Sequence, residues 1–151
     1  MTTRSKQTMQ EKVVLRVVSK GFVPFILMFA LYTQFHGDFG PGGGFQAGVI
    51  FAAGLILYGL IFGLDELQRI APPNIIERLT GLGVMIYGGT GVLTVLMGGY
   101  FLDYKVLEHD PMHGLHLGLA MIEGGVGITV TAAMTTIFYT FAGRDPRTEA
   151  E

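Results

Sequence analysis

The acidic residue Glu123 lies within a long apolar stretch, where an ionised carboxylate is costly unless it is paired or hydrated. Counted from Leu115 at 1.5 Å per residue, it would sit about 12 Å inside a hydrocarbon layer roughly 30 Å thick. Gly124, Gly125 and Gly127 follow it, so another helix or water can come close. We therefore interpret Glu123 as a candidate way-station for protons or sodium ions. The alternative is a structural hydrogen bond to a partner subunit.

Two histidines precede this acid at helical spacing. His113, His116 and Glu123 are separated by three and seven residues, which places them on one face of a helix. Imidazole changes charge near neutral pH, so such a row suits a proton relay. His36 and Asp38 fall at the same side of the predicted membrane domain and complete the set of ion-path candidates.

Other roles for the histidines stay open. They can be interfacial residues at the boundary between lipid and water, or His36 could ligate haem together with a histidine of the last span. A metal site built from His109, His113 and His116 is disfavoured, because Pro111 is expected to start the helix and leave His109 outside it. The sequence thus predicts neither a metal nor a resident cofactor.

A glycine-rich segment joins the first two apolar stretches. The structural glycine loop consists of Pro41, Gly42, Gly43, Gly44, Phe45, Gln46 and Gly48. Consecutive glycines permit backbone conformations that are closed to other residues. The segment fits G-x-G-x-x-A, but no strand precedes it, so a nucleotide site is not predicted. Two interpretations stay open: a tight turn buried against another subunit, or a lining of an ion path.

The elements that position these residues are apolar. Half of the 151 residues are apolar, 15% are charged, and the mean hydropathy is +0.48. Four stretches are long enough to cross a membrane as helices, which need about 20 residues. They predict an all-α integral membrane protein with a single membrane domain and transmembrane helices at approximately 13–35, 45–63, 79–102 and 112–141.

Positive charge is distributed unevenly about these spans. If the chain crosses four times, nine of the ten cationic residues fall on one side and Lys105 falls on the other. The positive-inside rule then predicts cytoplasmic N- and C-termini, with Asp38 and Asp103 facing outward. The nine are Arg4, Lys6, Lys12, Arg16, Lys20, Arg69, Arg78, Arg144 and Arg147.

Composition excludes several classes of protein. The chain has no cysteine, which removes disulfide scaffolds and cysteine-ligated metals, and its net charge of −2 argues against nucleic-acid binding. Carriers that work alone usually combine several buried ionisable groups with internal repeats. One mid-span carboxylate and no clear repeat therefore favour an accessory subunit, and the many glycines favour packing against partner helices.

The glycine segment also carries a family resemblance. The pattern H-G-x-x-x-P-G-G-G-F-Q-x-G, from His36 to Gly48, resembles the MnhB-like subunits of the Mrp-type multisubunit sodium/proton antiporters. The resemblance extends over nearly the whole chain. It implies a secondary-transporter subunit, not an enzyme, that resides in a bacterial or archaeal plasma membrane. It also implies sodium ions and protons as the transported ions and large complex-I-related subunits as partners. Because related subunits occur in membrane-bound hydrogenases, a redox-linked ion-pumping complex is the alternative parent.

Overall fold

The computed structural model describes residues 13–37, 41–108 and 110–143, and these residues confirm the all-helical prediction. A short 3-10 turn, Tyr104–Val106, precedes the last helix. The helices are α1 (Val13–His36), α2 (Gly44–Phe62), α3 (Leu64–Ile70), α4 (Pro73–Leu96) and α5 (Pro111–Ala142).

Helices α1, α2, α4 and α5 are each long and apolar enough to cross a membrane. Large apolar side chains cover their outer surfaces; Phe25, Met85 and Phe141 are examples. A water-soluble bundle would instead carry a polar outer face. The four predicted spans are therefore present in the fold.

The third span differs from its predicted range of 79–102, because α4 begins six residues earlier and ends at Leu96. Consecutive prolines at 72 and 73 start the helix, since proline is favoured in a first helical turn. At the other end the backbone turns at Gly98, with φ +89°, and Leu102, with φ +63°. The short helix α3 was not predicted either, because its seven residues contain four polar ones and read as a loop.

The bundle has two distinct ends. The α1 start, α3, the α4 start and the α5 finish meet at one end, which we call the α3 end. There the hydroxyl of Tyr139 donates a 2.6 Å hydrogen bond to the carbonyl of Ala71. A buried core surrounds this bond and consists of Leu67, Ala71, Ile76, Ala132 and Tyr139. The glycine loop and the 3-10 turn occupy the opposite end, which we call the loop end.

Helices α2 and α5 run parallel and in register. Gly44 lies against Glu123, Gly48 lies against Gly127, and Gly59 contacts Phe138. Because α5 begins at Pro111, its first twelve residues extend about 18 Å beyond the start of α2. Glu123 is therefore level with the loop, and the histidines lie further out.

Candidate functional site at the glycine loop and Glu123

The glycine loop packs directly on Glu123 of α5. A Cβ atom built on Gly37 would lie 2.8 Å from Oε2 and 2.9 Å from Oε1 of this half-buried acid. A Cβ on Gly43 would lie 3.3 Å from Oε1, and one on Gly44 would overlap the Glu123 carbonyl oxygen. The loop thus fits around the acid because these three positions carry no side chain.

The loop backbone also folds back on the end of α1. Gly43 adopts φ +117° and ψ 171°, a conformation that is essentially restricted to glycine. Its N–H donates a 3.2 Å hydrogen bond to the carbonyl of Thr33. A Cβ on Gly42 would come within 2.7 Å of the same carbonyl oxygen. The close approach of the two backbones explains why glycines occur at both positions.

Glu123 lies beside the N-terminus of α2. No side chain caps this helix at Gly43, and the first N–H groups of a helix have no acceptor within it. The first bond back to the cap is donated by Ala47 to the Gly43 carbonyl, at 3.0 Å. A negative charge near a helix N-terminus is favoured by the helix dipole. The carboxylate therefore lies near the positive end of the α2 dipole.

The glycines of the loop have a packing partner within the chain itself. Gly43, Gly44 and Gly48 are buried against α5. The reason is the register of α2 and α5, which places the loop at the level of Glu123. Pro41, Phe45 and Gln46 are exposed instead; Phe45 retains 65% of its accessible surface.

The histidines lie at the loop end, and two of them are more exposed than the acid. His113 is exposed, and its Nδ1 lies 3.7 Å from Oδ2 of Asp110, the N-cap residue of α5. His116 is also exposed. His36 is half-buried, and its ring stacks on Tyr32 with 5.1 Å between centroids. His36 directly precedes Gly37, so the fold brings it into the neighbourhood of Glu123.

Two candidates of the sequence lie outside the described residues. They are Asp38, within the loop, and His109, which precedes α5. Among the residues that the structure does describe, no three His, Cys, Asp or Glu side chains are grouped so that they could hold a metal ion.

Tyr104 is a neighbour of α5 that the sequence did not indicate. Its ring fills the space beside Gly118, and its carbonyl oxygen lies 2.6 Å from a Cβ built on Gly114. Gly114 and Gly118, two small residues four positions apart, therefore accommodate the 3-10 turn and not another helix of the chain. Burial, and secondarily Tyr87, raises the pKa of Tyr104 above its usual value.

A cavity of about 280 Å³ lies on the α3 side of Glu123, between α1, α2 and α5, with Leu79 of α4 also in its lining. Most of its lining is apolar, and Gln34 and Thr131 supply polar groups. Thr131 is held in place by a 2.8 Å hydrogen bond to the carbonyl of Gly127, with the Gly48 carbonyl at 3.2 Å. The sequence offered no signal for this cavity, because its walls come from four separate helices.

The region that contains this site matches a known family. Residues 14–136 match the model described as a domain related to the MnhB subunit of Na⁺/H⁺ antiporters. The chain belongs to the MnhB family.

Two curated relatives agree with this assignment. A protein of Staphylococcus haemolyticus described as an antiporter subunit, mnhB2, is 34% identical over 137 residues, which cover 89% of this chain and 96% of the relative. Its namesake in Staphylococcus aureus strain Newman is 30% identical with the same coverage. The resemblance to the MnhB-like antiporter subunits is thereby confirmed.

The match extends over the entire candidate site of this MnhB-family protein. It includes the glycine loop, the histidines and Glu123, and it ends within α5 before Tyr139. Four apolar spanning helices and membership of an antiporter family together establish a membrane-embedded transporter component.

Proposed function

We propose that this chain is an accessory membrane subunit of a multisubunit sodium/proton antiporter, which supports assembly of the complex and contributes to its ion path. The observation that carries the proposal is the family match over residues 14–136, since it includes most of each of the four spanning helices. The relatives described as antiporter subunits support the same assignment.

The distribution of charge supports an accessory role. Among the described residues, Glu123 is the one Asp, Glu, Lys or Arg more than eight positions from both ends of its spanning helix. Lys20, seven residues into α1, is the next deepest. A carrier that moved protons and sodium by itself would need a longer series of ionisable groups. The remaining groups are therefore assigned to partner subunits, including large complex-I-related ones.

Orientation follows from the cations at the α3 end. Arg16, Lys20, Arg69 and Arg78 all lie there, whereas Lys105 lies at the loop end. The positive-inside rule supports a cytoplasmic α3 end and an outward-facing glycine loop. We place the chain in the plasma membrane of a bacterium or archaeon, with both termini in the cytoplasm and with no resident cofactor.

We assign Glu123 two linked tasks within the complex. As an anion beside the α2 N-terminus it holds the glycine loop in place, and as a protonatable group it serves the ion path. His36, His113 and His116 continue from this level to the outer surface, which suits transfer of protons between the acid and the external solution. Asp38 retains its proposed place at the outer mouth.

Deletion and purification together test the proposal. A strain that lacks the gene should lose sodium-driven proton flux in everted vesicles, and the wild-type gene should restore it. The tagged chain, purified from native membranes, should co-elute with large antiporter subunits identified by mass spectrometry. Full antiport in the deletion strain, or sodium/proton exchange by the isolated chain in proteoliposomes, would reject the accessory role. Co-elution with hydrogenase subunits would favour the redox-linked alternative.

A further inference from the structure

A second site lies at the α3 end, far from Glu123. It is an open cleft of about 400 Å³ between α1, α2 and α3. Five side chains line it: Arg16, Lys20, Tyr58, Phe62 and Glu66. Neither assembly around the glycine loop nor an ion path through Glu123 uses these residues.

The cleft combines two cations with an aromatic floor. Arg16 and Lys20 are four residues apart on α1, so they lie on the same face, and both are exposed. Tyr58 and Phe62 of α2 stack with 4.6 Å between ring centroids. The guanidinium carbon of Arg16 lies 5.4 Å from the Phe62 centroid, within the range of a cation–π contact.

The negative charge of Glu66 in the cleft is balanced by Arg69. Oε1 of Glu66 accepts a 2.8 Å hydrogen bond from Arg69, one turn along α3. Asp65, also in the first turn of α3, does not line the cleft. The wall formed by α1 therefore presents a positive field, and the floor is apolar.

The position of the cleft along α1 determines which part of a lipid it can contact. Arg16 and Lys20 lie three and seven residues from the start of α1, within about 11 Å of the helix end. From these positions, long cationic side chains reach the lipid headgroups by extending along the helix.

We propose that this cleft binds the phosphate-bearing headgroup of an anionic phospholipid in the leaflet at the α3 end. Arg16 and Lys20 contact the phosphate, since a guanidinium and an ammonium together match a tetrahedral anion. Tyr58 and Phe62 contact the glycerol and the first carbons of an acyl chain. The proposal does not rest on the antiporter assignment.

Native mass spectrometry of the full-length chain in neutral detergent tests the proposal. Phosphatidylglycerol should bind at least fivefold more tightly than phosphatidylcholine, which carries the same phosphate without net charge. Arg16→Gln and Lys20→Gln should each weaken phosphatidylglycerol binding about fivefold, whereas Lys20→Arg should retain it. Arg78→Gln, which removes an exposed cation at the same end but outside the cleft, is the matched control and should leave binding unchanged.

Several outcomes would overturn the proposal. An equal loss with Arg78→Gln would indicate general surface attraction without a site. Glycerol 3-phosphate or inorganic phosphate that binds as tightly as the lipid would identify a site for a soluble anion. If a Gln variant fails to fold by circular dichroism, wild-type binding is measured from low to high salt. Phosphatidylglycerol binding that does not respond to salt would then refute the electrostatic contact.

Discussion

At the scale of single residues, the decisive relationship is between Glu123 and the glycines that surround it. The acid is costly in a membrane, yet its carboxylate lies at contact distance from Gly37 and Gly43 and beside the start of α2. The same contacts fix the loop, because Gly44 touches the Glu123 backbone. A change in the acid therefore affects both a charge and a packing contact, and conservative substitutions can separate the two.

We expect Glu123→Gln to keep the complex assembled but to lower sodium-driven proton flux or shift its pH profile. Glutamine has nearly the shape of glutamate and can still form hydrogen bonds, but it is neutral and cannot take up and release a proton as a carboxylate does. Glu123→Ala should also reduce assembly, because it leaves polar groups without a partner. Flux in everted vesicles across a pH range, normalised to assembled complex, measures both effects. An unchanged profile for Glu123→Gln would show that the acid is structural only.

A second residue-scale prediction concerns Gly43. Valine is strained at φ +117° by about 1–3 kcal/mol, and it would also press on Oε1 of Glu123. Gly98→Val is the matched control, because Gly98 also has positive φ, +89°, but nothing lies within 4 Å of its Cβ position. We expect Gly43→Val to lower the midpoint of thermal unfolding, and complex recovery on native gels, more than Gly98→Val does. Equal losses in the two variants would show that the contact with Glu123 contributes nothing to stability or to assembly.

At the scale of the elements, the connections tie the spanning helices together at both ends. At the loop end, the 3-10 turn places Tyr104 against Gly118 of α5. The outer part of α5 therefore has a packing partner, although it extends beyond the start of α2. At the α3 end the short helix α3 contributes Leu67 to the core. Packing of the chain thus depends on two short segments as well as on helix–helix contacts.

The hydrogen bond between Tyr139 and Ala71 provides a test of the α3 end. Tyr139→Phe removes the donor and leaves a carbonyl oxygen unsatisfied next to a buried ring, which costs about 1–3 kcal/mol. We expect a lower midpoint in thermal unfolding of the isolated chain in detergent. Tyr100→Phe is the control, since Tyr100 is 86% exposed and its hydroxyl is accessible to water. A midpoint equal to wild type for Tyr139→Phe would contradict a stabilising role for this bond.

At the scale of the whole molecule, some glycines find no neighbour within the described part of the chain. Gly83 and Gly125 are used in the contact between α4 and α5. In contrast, a Cβ built on Gly81, Gly88 or Gly89 of α4, or on Gly124 of α5, would meet nothing within 4 Å. Small residues in membrane helices allow backbones to approach closely. These positions therefore suit contact with partner subunits.

We expect Gly88→Leu to leave the isolated chain folded but to reduce recovery of the complex. Leucine fits the open space and favours helix over glycine, so thermal unfolding of the isolated chain should not suffer. The added side chain would hold a partner helix away. Recovery on native gels is compared with the unfolding midpoint of the same variant. Full recovery of the complex would indicate that this face of α4 contacts lipid and not a partner subunit.

Orientation is testable with introduced cysteines, because the chain contains none. Glu108→Cys at the loop end should react with a membrane-impermeant maleimide in intact cells. Asp65→Cys at the α3 end should react only after the cells are opened. Both parent residues are exposed, so accessibility depends on the side of the membrane. The reverse pattern would place the glycine loop in the cytoplasm.

Features that depend on local composition and on short spacings could be predicted from the sequence alone. Apolar length and scarce charge established the four spans, because the cost of polar groups in hydrocarbon acts on each segment separately. The occurrence of Glu123 within an apolar stretch and the glycine pattern after His36 were likewise evident, and the pattern was sufficient to suggest the family. The order of the cationic residues along the chain indicated which loops lie on the same side of the membrane.

Which of these features lie next to one another depends on the packing of the helices and could not be predicted. The parallel register of α2 and α5 places the glycine loop on Glu123, although the two are about eighty residues apart. No periodicity encodes this register, because it results from the fit of Gly44 and Gly48 against the backbone of another helix. The cavity beside Thr131 and the cationic cleft near Phe62 arise in the same way, since the first has walls from four helices and the second from three. Contacts between distant segments depend on how surfaces fit, and only the assembled bundle defines those surfaces.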